Sequence, residues 1–182
     1  MNIKNTHDRY NKVSITLHWL MVLLIAAVYA LIELKGIYPR GSDPREAMKM
    51  WHFMLGLLVL LLVLVRIGVR LFSGKPPAIL PTIAGWQAAL AKLVHLALYA
   101  LMLGLPLAGW FILSLSGKPI PFFGLELPAI AGENTDLAKT VKEIHETAGK
   151  VGYALIGIHA LAALFHHYIQ RDNTLKRMLS WK

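Results

Sequence analysis

Four apolar stretches of about twenty residues each decide what this chain can become. In hydrocarbon, every backbone amide and carbonyl must find its partner inside its own segment, so stretches of this kind cross a membrane as helices. They run approximately over Val13 to Ile32, Met50 to Phe72, Leu93 to Ser116 and Glu143 to Gln170. The first is too long in its apolar run, and lacks the small-residue site that would follow, to be a cleaved secretion signal. Pro106 falls inside the third stretch, where it is expected to kink the helix. The expectation is an all-α fold: an integral membrane four-helix bundle forming a single domain over residues 1–182. Only 16% of residues are charged and 56% are hydrophobic, which suits lipid-facing helices better than a soluble core.

The charges orient the spans. Lys4, Arg9 and Lys12 lie in the N-terminal tail, Arg66, Arg70, Lys75 and Lys92 around the second connection, and Arg171, Lys176, Arg177 and Lys182 at the C-terminal end. Only Asp8 and Asp172 oppose them. The first and third connections mix Lys35, Arg40, Arg45, Lys49, Lys118, Lys139 and Lys142 with the remaining acids. The positive-inside rule puts both termini in the cytoplasm of a bacterial inner (plasma) membrane, with the first and third connections in the periplasm. Trp19, Trp86, Trp110 and Trp181 fall near the expected interfaces, as belt residues do. The net charge of +9 belongs to this flanking pattern rather than to one basic face, so no nucleic-acid partner is expected.

The chain has no cysteine, which excludes disulfides, iron–sulfur clusters, thiolate metal sites and haem attached through Cys-x-x-Cys-His. Histidine is the ligand type that remains. His145 and His159 are fourteen residues apart, so on a helix they share a face to within roughly 40° and differ in depth by about 21 Å. His52 opens the second span at the depth of His145, and His18 lies in the first span at the depth of His159. Two imidazoles from different helices at one depth make an axial pair for haem iron. Gly149, Gly152 and Ala163 share the face of His145 and His159, and Gly56 follows His52 by one turn. Missing side chains there suit a flat macrocycle, although such glycines also serve as helix-packing sites. The reading is two non-covalently held haems within the bundle, with His52 and His145 holding the outer and His18 and His159 the inner.

The strings S-I-T-L-H-W-L, W-H-F-M-L-G-L and K-E-I-H-E-T-A-G-K-V-G-Y-A-L-I-G-I-H-A-L-A-A-L-F-H-H-Y resemble the prokaryotic cytochrome b561 family, relatives of the b-type cytochrome subunits of hydrogenases and formate dehydrogenases. The resemblance spans nearly the whole chain. It implies a four-helix membrane bundle with two b haems, heme iron held by His18, His52, His145 and His159, and electron transport across the membrane. It also implies an oxidoreductase linked to ubiquinone. Some members take electrons from superoxide, and the outer cations Arg40, Arg45, Lys49 and Lys118 would suit an anionic donor or haem propionates. A periplasmic redox protein is the other donor considered.

Further histidines are placed beside the inner pair. His166 lies seven residues after His159 on the same face, and His95 opens the third span. Together they are the candidate catalytic groups of a quinone site, since reducing a quinone needs protons as well as electrons. His167 is turned off that face and reads as structural, while His7 is idle in the polar tail. Arg66 and Arg70 read as headgroup anchors, with propionates of the inner haem as the other role. The third connection, K-P-I-P-F-F-G-L-E-L-P, is expected to lie at the outer interface and partly roof the haem. Two other classes stay open: a haem-bearing membrane anchor of a separate dehydrogenase or hydrogenase, and a histidine-relay transporter. The second is weakened because no carboxylate lies in the apolar centres.

Overall fold

A computed structural model describes residues 4–179, so Trp181 and Lys182 lie outside the described residues. Its frame is four helices: α1 (Lys12–Leu34), α2 (Asp43–Phe72), α3 (Gly85–Leu115) and α4 (Thr135–Tyr168). All four are long and apolar enough to cross a membrane. The four spans expected from hydropathy are therefore present, but three start earlier than their apolar cores. The Asn134 side chain accepts from the Leu137 amide to cap α4, and α2 opens on Asp43 and Pro44 after Ser42. These polar first turns favour helix because their amides and dipole are satisfied, not because they belong in lipid. Pro106 sits inside α3 and the helix continues through it.

Sequential helices pack as antiparallel neighbours, α1 on α2, α2 on α3 and α3 on α4. One apolar cluster joins the first three: Met21, Val59, Leu60 and Val63 are buried, with Leu24, Val28, Tyr99 and Met102 against them. By contrast, α4 contributes only Ala138 and Gly152 to the buried set. It touches α1 through aromatic groups near one end. The Tyr29 hydroxyl donates to the Gly149 carbonyl (2.8 Å), its ring lies 4.4 Å from that of Tyr153, and the Tyr153 hydroxyl donates to Glu33 (2.9 Å).

The third connection carries a two-stranded antiparallel hairpin, β1 (Ile120–Phe122) with β2 (Leu125–Leu127), in addition to the all-helical frame. Its two-residue turn is Phe123 and Gly124, both with positive φ (48° and 87°), the geometry that matches strand twist. Ile120 is buried with Leu57 and Leu113, and Trp110 Nε1 donates to the Pro128 carbonyl, so the hairpin is seated on the ends of α2 and α3. The connection thus covers that end of the bundle.

At the opposite end the two tails and the second connection are tied together. Asn11 caps α1 and its amide also donates to Ser73 (2.8 Å), the Asn173 side chain bonds both Leu80 N–H and Ala78 C=O, and Arg177 donates to the Pro77 carbonyl. Trp19, expected only as a belt residue, donates to the Met178 carbonyl (2.8 Å).

Candidate functional site

The histidines matched by depth meet in space. The His18 ring of α1 and the His159 ring of α4 have centroids 6.2 Å apart, with planes at 73°. The His52 ring of α2 and the His145 ring of α4 are 6.4 Å apart, with planes at 78°. So α4 supplies one ring to each pair, and its fourteen-residue spacing separates the pairs by about 21 Å along the helix. All four rings are only partly exposed.

In the His52–His145 pair, one ring is fixed by backbone. His52 Nδ1 lies 2.9 Å from the Val28 carbonyl of α1, so Nδ1 carries the proton and Nε2 keeps its lone pair. His145 Nδ1 is buried without a hydrogen bond of good geometry, although the Leu105 carbonyl of α3 faces it. Gly109 brings α3 close to this ring: a Cβ there would lie 3.8 Å from His145 Cε1. A Cβ at Gly56 or at Gly149, each one turn beyond its histidine, would meet nothing within 4 Å. Gly152 behaves differently. A Cβ there would collide with the Tyr29 hydroxyl, so this glycine serves helix packing rather than an open face.

Around the His18–His159 pair stand two further groups. The His95 ring of α3 is 5.3 Å from that of His159. Arg66 of α2 is within electrostatic reach of His18, His95 and His159, and its Nε donates to the Tyr99 hydroxyl (3.2 Å). Its Nη1 is buried with no hydrogen-bond partner. Arg70 is exposed, as a headgroup anchor is. Among the described residues, no three His, Asp or Glu side chains converge to cage a bare metal ion.

His166 has a partner that the sequence did not announce. Its Nδ1 lies 2.6 Å from Asp172 Oδ2, and the side chains are 15% and 1% exposed. No ring contact or hydrogen bond joins His95 to His166 among the described residues. His167 Nδ1 is buried without a partner and its ring packs on Tyr168. His7 pairs with Asp8 at the exposed N-terminal tail. Of the outer cations, Lys49 pairs with Glu46 (2.6 Å) and Arg45 donates to the Lys35 and Tyr38 carbonyls, which leaves Arg40 and Lys118 as the exposed members.

The arrangement offers two things chemically: two pairs of imidazoles that would hold a metal-centred cofactor, and a guanidinium and a further imidazole beside the His18–His159 pair. The family model described as prokaryotic cytochrome b561 matches residues 9–181. The chain is 40% identical over 172 residues to cytochrome b561 homolog 1 of Escherichia coli (strain K12), covering 94% of this chain and 97% of that protein. It is 40% identical over 176 residues to the probable superoxide oxidase CybB of Yersinia pestis, covering 97% and 98%. Similarity to cytochrome b562 of Cereibacter sphaeroides is lower, 31% over 174 residues, covering 93% and 94%.

Proposed function

The chain belongs to the prokaryotic cytochrome b561 family, a multi-pass bacterial membrane cytochrome that transfers electrons with b-type haem, and from this premise we propose that it carries electrons from superoxide at its outer face to ubiquinone at its inner face. In this reading His52 and His145 hold one b haem, and His18 and His159 hold a second. Both termini face the cytoplasm of the inner membrane. Haem iron supplies one-electron chemistry at each depth; the protein supplies ligation, burial and charge.

The observation that carries the reading is ring separation. Metal–imidazole bonds are about 2.0 Å and a ring nitrogen lies about 1.1 Å from its ring centre, so two rings on opposite sides of one ion have centroids about 6 Å apart. The pairs stand at 6.2 and 6.4 Å. The His52 bond to Val28 supports it, since ligating imidazoles donate their second N–H to a carbonyl or carboxylate. So do Gly56 and Gly149, where an added Cβ meets no protein atom. The superoxide donor is supported by the printed name of the Yersinia relative and by the exposed Arg40 and Lys118. Two superoxide ions each give up one electron and become dioxygen, and one quinone takes both electrons with two protons to become quinol.

The test is haem stoichiometry and reduced-minus-oxidised spectra of four alanine variants, at His18, His52, His145 and His159. Each is expected to lose one of two haems or change its spin state. Unaltered pigment in all four overturns the ligand assignment. Enzymatically generated superoxide should reduce the haems of the wild-type protein, with ubiquinone restoring the oxidised spectrum. Reduction no faster than the uncatalysed background removes superoxide as donor.

A further inference from the structure

Resting on the quinone reading above, we propose that Asp172 is a positioning residue that holds His166 as the proton donor to the quinone. Four observations carry it. Asp172 Oδ2 takes the His166 Nδ1–H at 2.6 Å, which leaves Nε2 as the nitrogen available to a substrate. The carboxylate is fixed from its other side, where Oδ1 accepts from the Thr174 amide at 2.8 Å. The backbone is shaped to deliver it: Arg171 takes a positive φ of 58°, and the Asp172 amide returns to the His166 carbonyl at 3.1 Å. Finally, His166 stands two helical turns beyond His159 on the same face of α4, so it is the next titratable ring toward the inner surface.

The division of labour follows from burial. At 1% exposure the Asp172 side chain is shielded from water, which suits a group that orients the ring rather than one that relays protons. The groups that face it are His166 from α4, the Thr174 amide and Arg177 from the terminal turn; Arg177 in turn stacks over Tyr10 of the N-terminal tail. A fixed carboxylate on Nδ1 sets the orientation and tautomer of the ring, as the buried aspartate does in a catalytic triad. When electrons reach the quinone from the inner site, the Nε2–H bond of protonated His166 breaks and its electron pair stays on the ring. An O–H bond forms at one oxygen of the reduced quinone, and the other oxygen takes its proton from water. The ring then regains a proton from water, and Asp172 stays ionised throughout.

The experiment uses purified haem-loaded protein, pre-reduced with dithionite and mixed with a short-chain ubiquinone in stopped flow. Asp172→Asn should lower kcat for quinone-driven haem oxidation at least about tenfold, with KM within about twofold and both haem spectra intact, as loss of an oriented acid requires. Asp172→Glu, which keeps a carboxylate, should recover part of the rate. Asn173→Ala removes the tail's bonds to Leu80 and Ala78 while sparing the His166 contact, and should react at close to the wild-type rate. The proposal is overturned by an unchanged kcat in Asp172→Asn, by a rise in KM alone, by an equal fall in Asn173→Ala, or by loss of the haem spectrum in Asp172→Asn. Wild-type haems that quinone leaves reduced would instead sink the quinone reading itself, whatever the variants do.

Discussion

Gly149 and Gly152 sit three residues apart on α4, and alanine at the two positions should have opposite effects on stability. At Gly152 the new Cβ would displace the Tyr29 hydroxyl and press on Leu101. Overpacking of this kind costs about 1–3 kcal/mol, and the lost Tyr29–Gly149 hydrogen bond about 1 kcal/mol more. Replacing a helical glycine returns about 1 kcal/mol, so the net loss is about 1–3 kcal/mol. At Gly149 the Cβ meets no protein atom, and only the helical gain of up to about 1 kcal/mol is left. Haem occupancy should separate the pair again. If the face above Gly149 lies against a macrocycle, a leucine there would keep the bundle folded and deplete the outer haem. Helix loss on titration with SDS in mixed micelles measures the first effect, and pyridine haemochrome content the second. A Gly152→Ala protein as stable as wild type, or a Gly149→Ala protein equally weakened, would refute the assignment of one glycine to packing and the other to an open face.

Two other outcomes follow from the ends of the bundle. Burial alone would raise the Asp172 carboxyl, but the Thr174 amide and His166 outweigh it and hold it below the usual carboxylate range. A lowered folded value stabilises above the unfolded pKa of about 3.9 and is lost as pH falls through the folded value. Hydrogen-exchange protection of residues 172–178 should therefore be level from neutral pH down to about 4 and fall below it; a fall already at pH 6 would contradict this account of Asp172. At the other end, Gly124 holds φ at +87°, so Gly124→Val should cost about 1–2 kcal/mol in backbone strain. The readout is faster proteolysis across residues 118–130 with the helices intact, and an unchanged cleavage rate would count against the turn.

Why did some of this lie open in the sequence and some not? Span number follows from hydropathy alone, because lipid leaves the backbone no alternative to helix. The meeting of His18 with His159 and of His52 with His145 follows from depth and helical phase, since helices that cross the same layer bring equal depths together. Other features depend on chain geometry that no periodicity carries. Asp172 lies beyond the end of α4 and reaches His166 only because Arg171 turns left-handed. The partner of His52 is a main-chain carbonyl, Val28, a group that every residue has. Gly149 and Gly152 look alike in the sequence, and what separates them is Tyr29 on another helix. The hairpin is masked by Pro119, Pro121 and Pro128, which break the alternation that would have shown it.

One asymmetry in the bundle bears on the direction of electron flow. On α4, His145 and His159 are fourteen residues apart; on α2, which runs parallel to it, the same spacing joins His52 to Arg66. The two helices thus present matching faces, imidazole opposite imidazole at the outer depth and guanidinium beside imidazole at the inner. Arg66 is the nearer helix's answer to His159, and its Nη1 is buried without a partner, so its charge is poorly offset. A fixed cation favours the state with one more electron. Taking about 10 Å from the charge to the inner site, about 23 Å to the outer one and an effective dielectric of about 20, the effects are about 1.7 and about 0.7 kcal/mol, a difference of about 1 kcal/mol or about fivefold in the sharing of an electron between the two depths. The inner site would therefore be the better acceptor, and transfer from outer to inner would run downhill toward His166. Arg66→Gln keeps a hydrogen-bonding group and removes the charge. Potentiometric titration of that variant should show the midpoint of one haem moved down by about 70 mV, using about 59 mV per tenfold for one electron, and the other by less than half as much. Equal movement of both midpoints, or of neither, would mean that Arg66 only anchors α2, and the downhill order would need another cause.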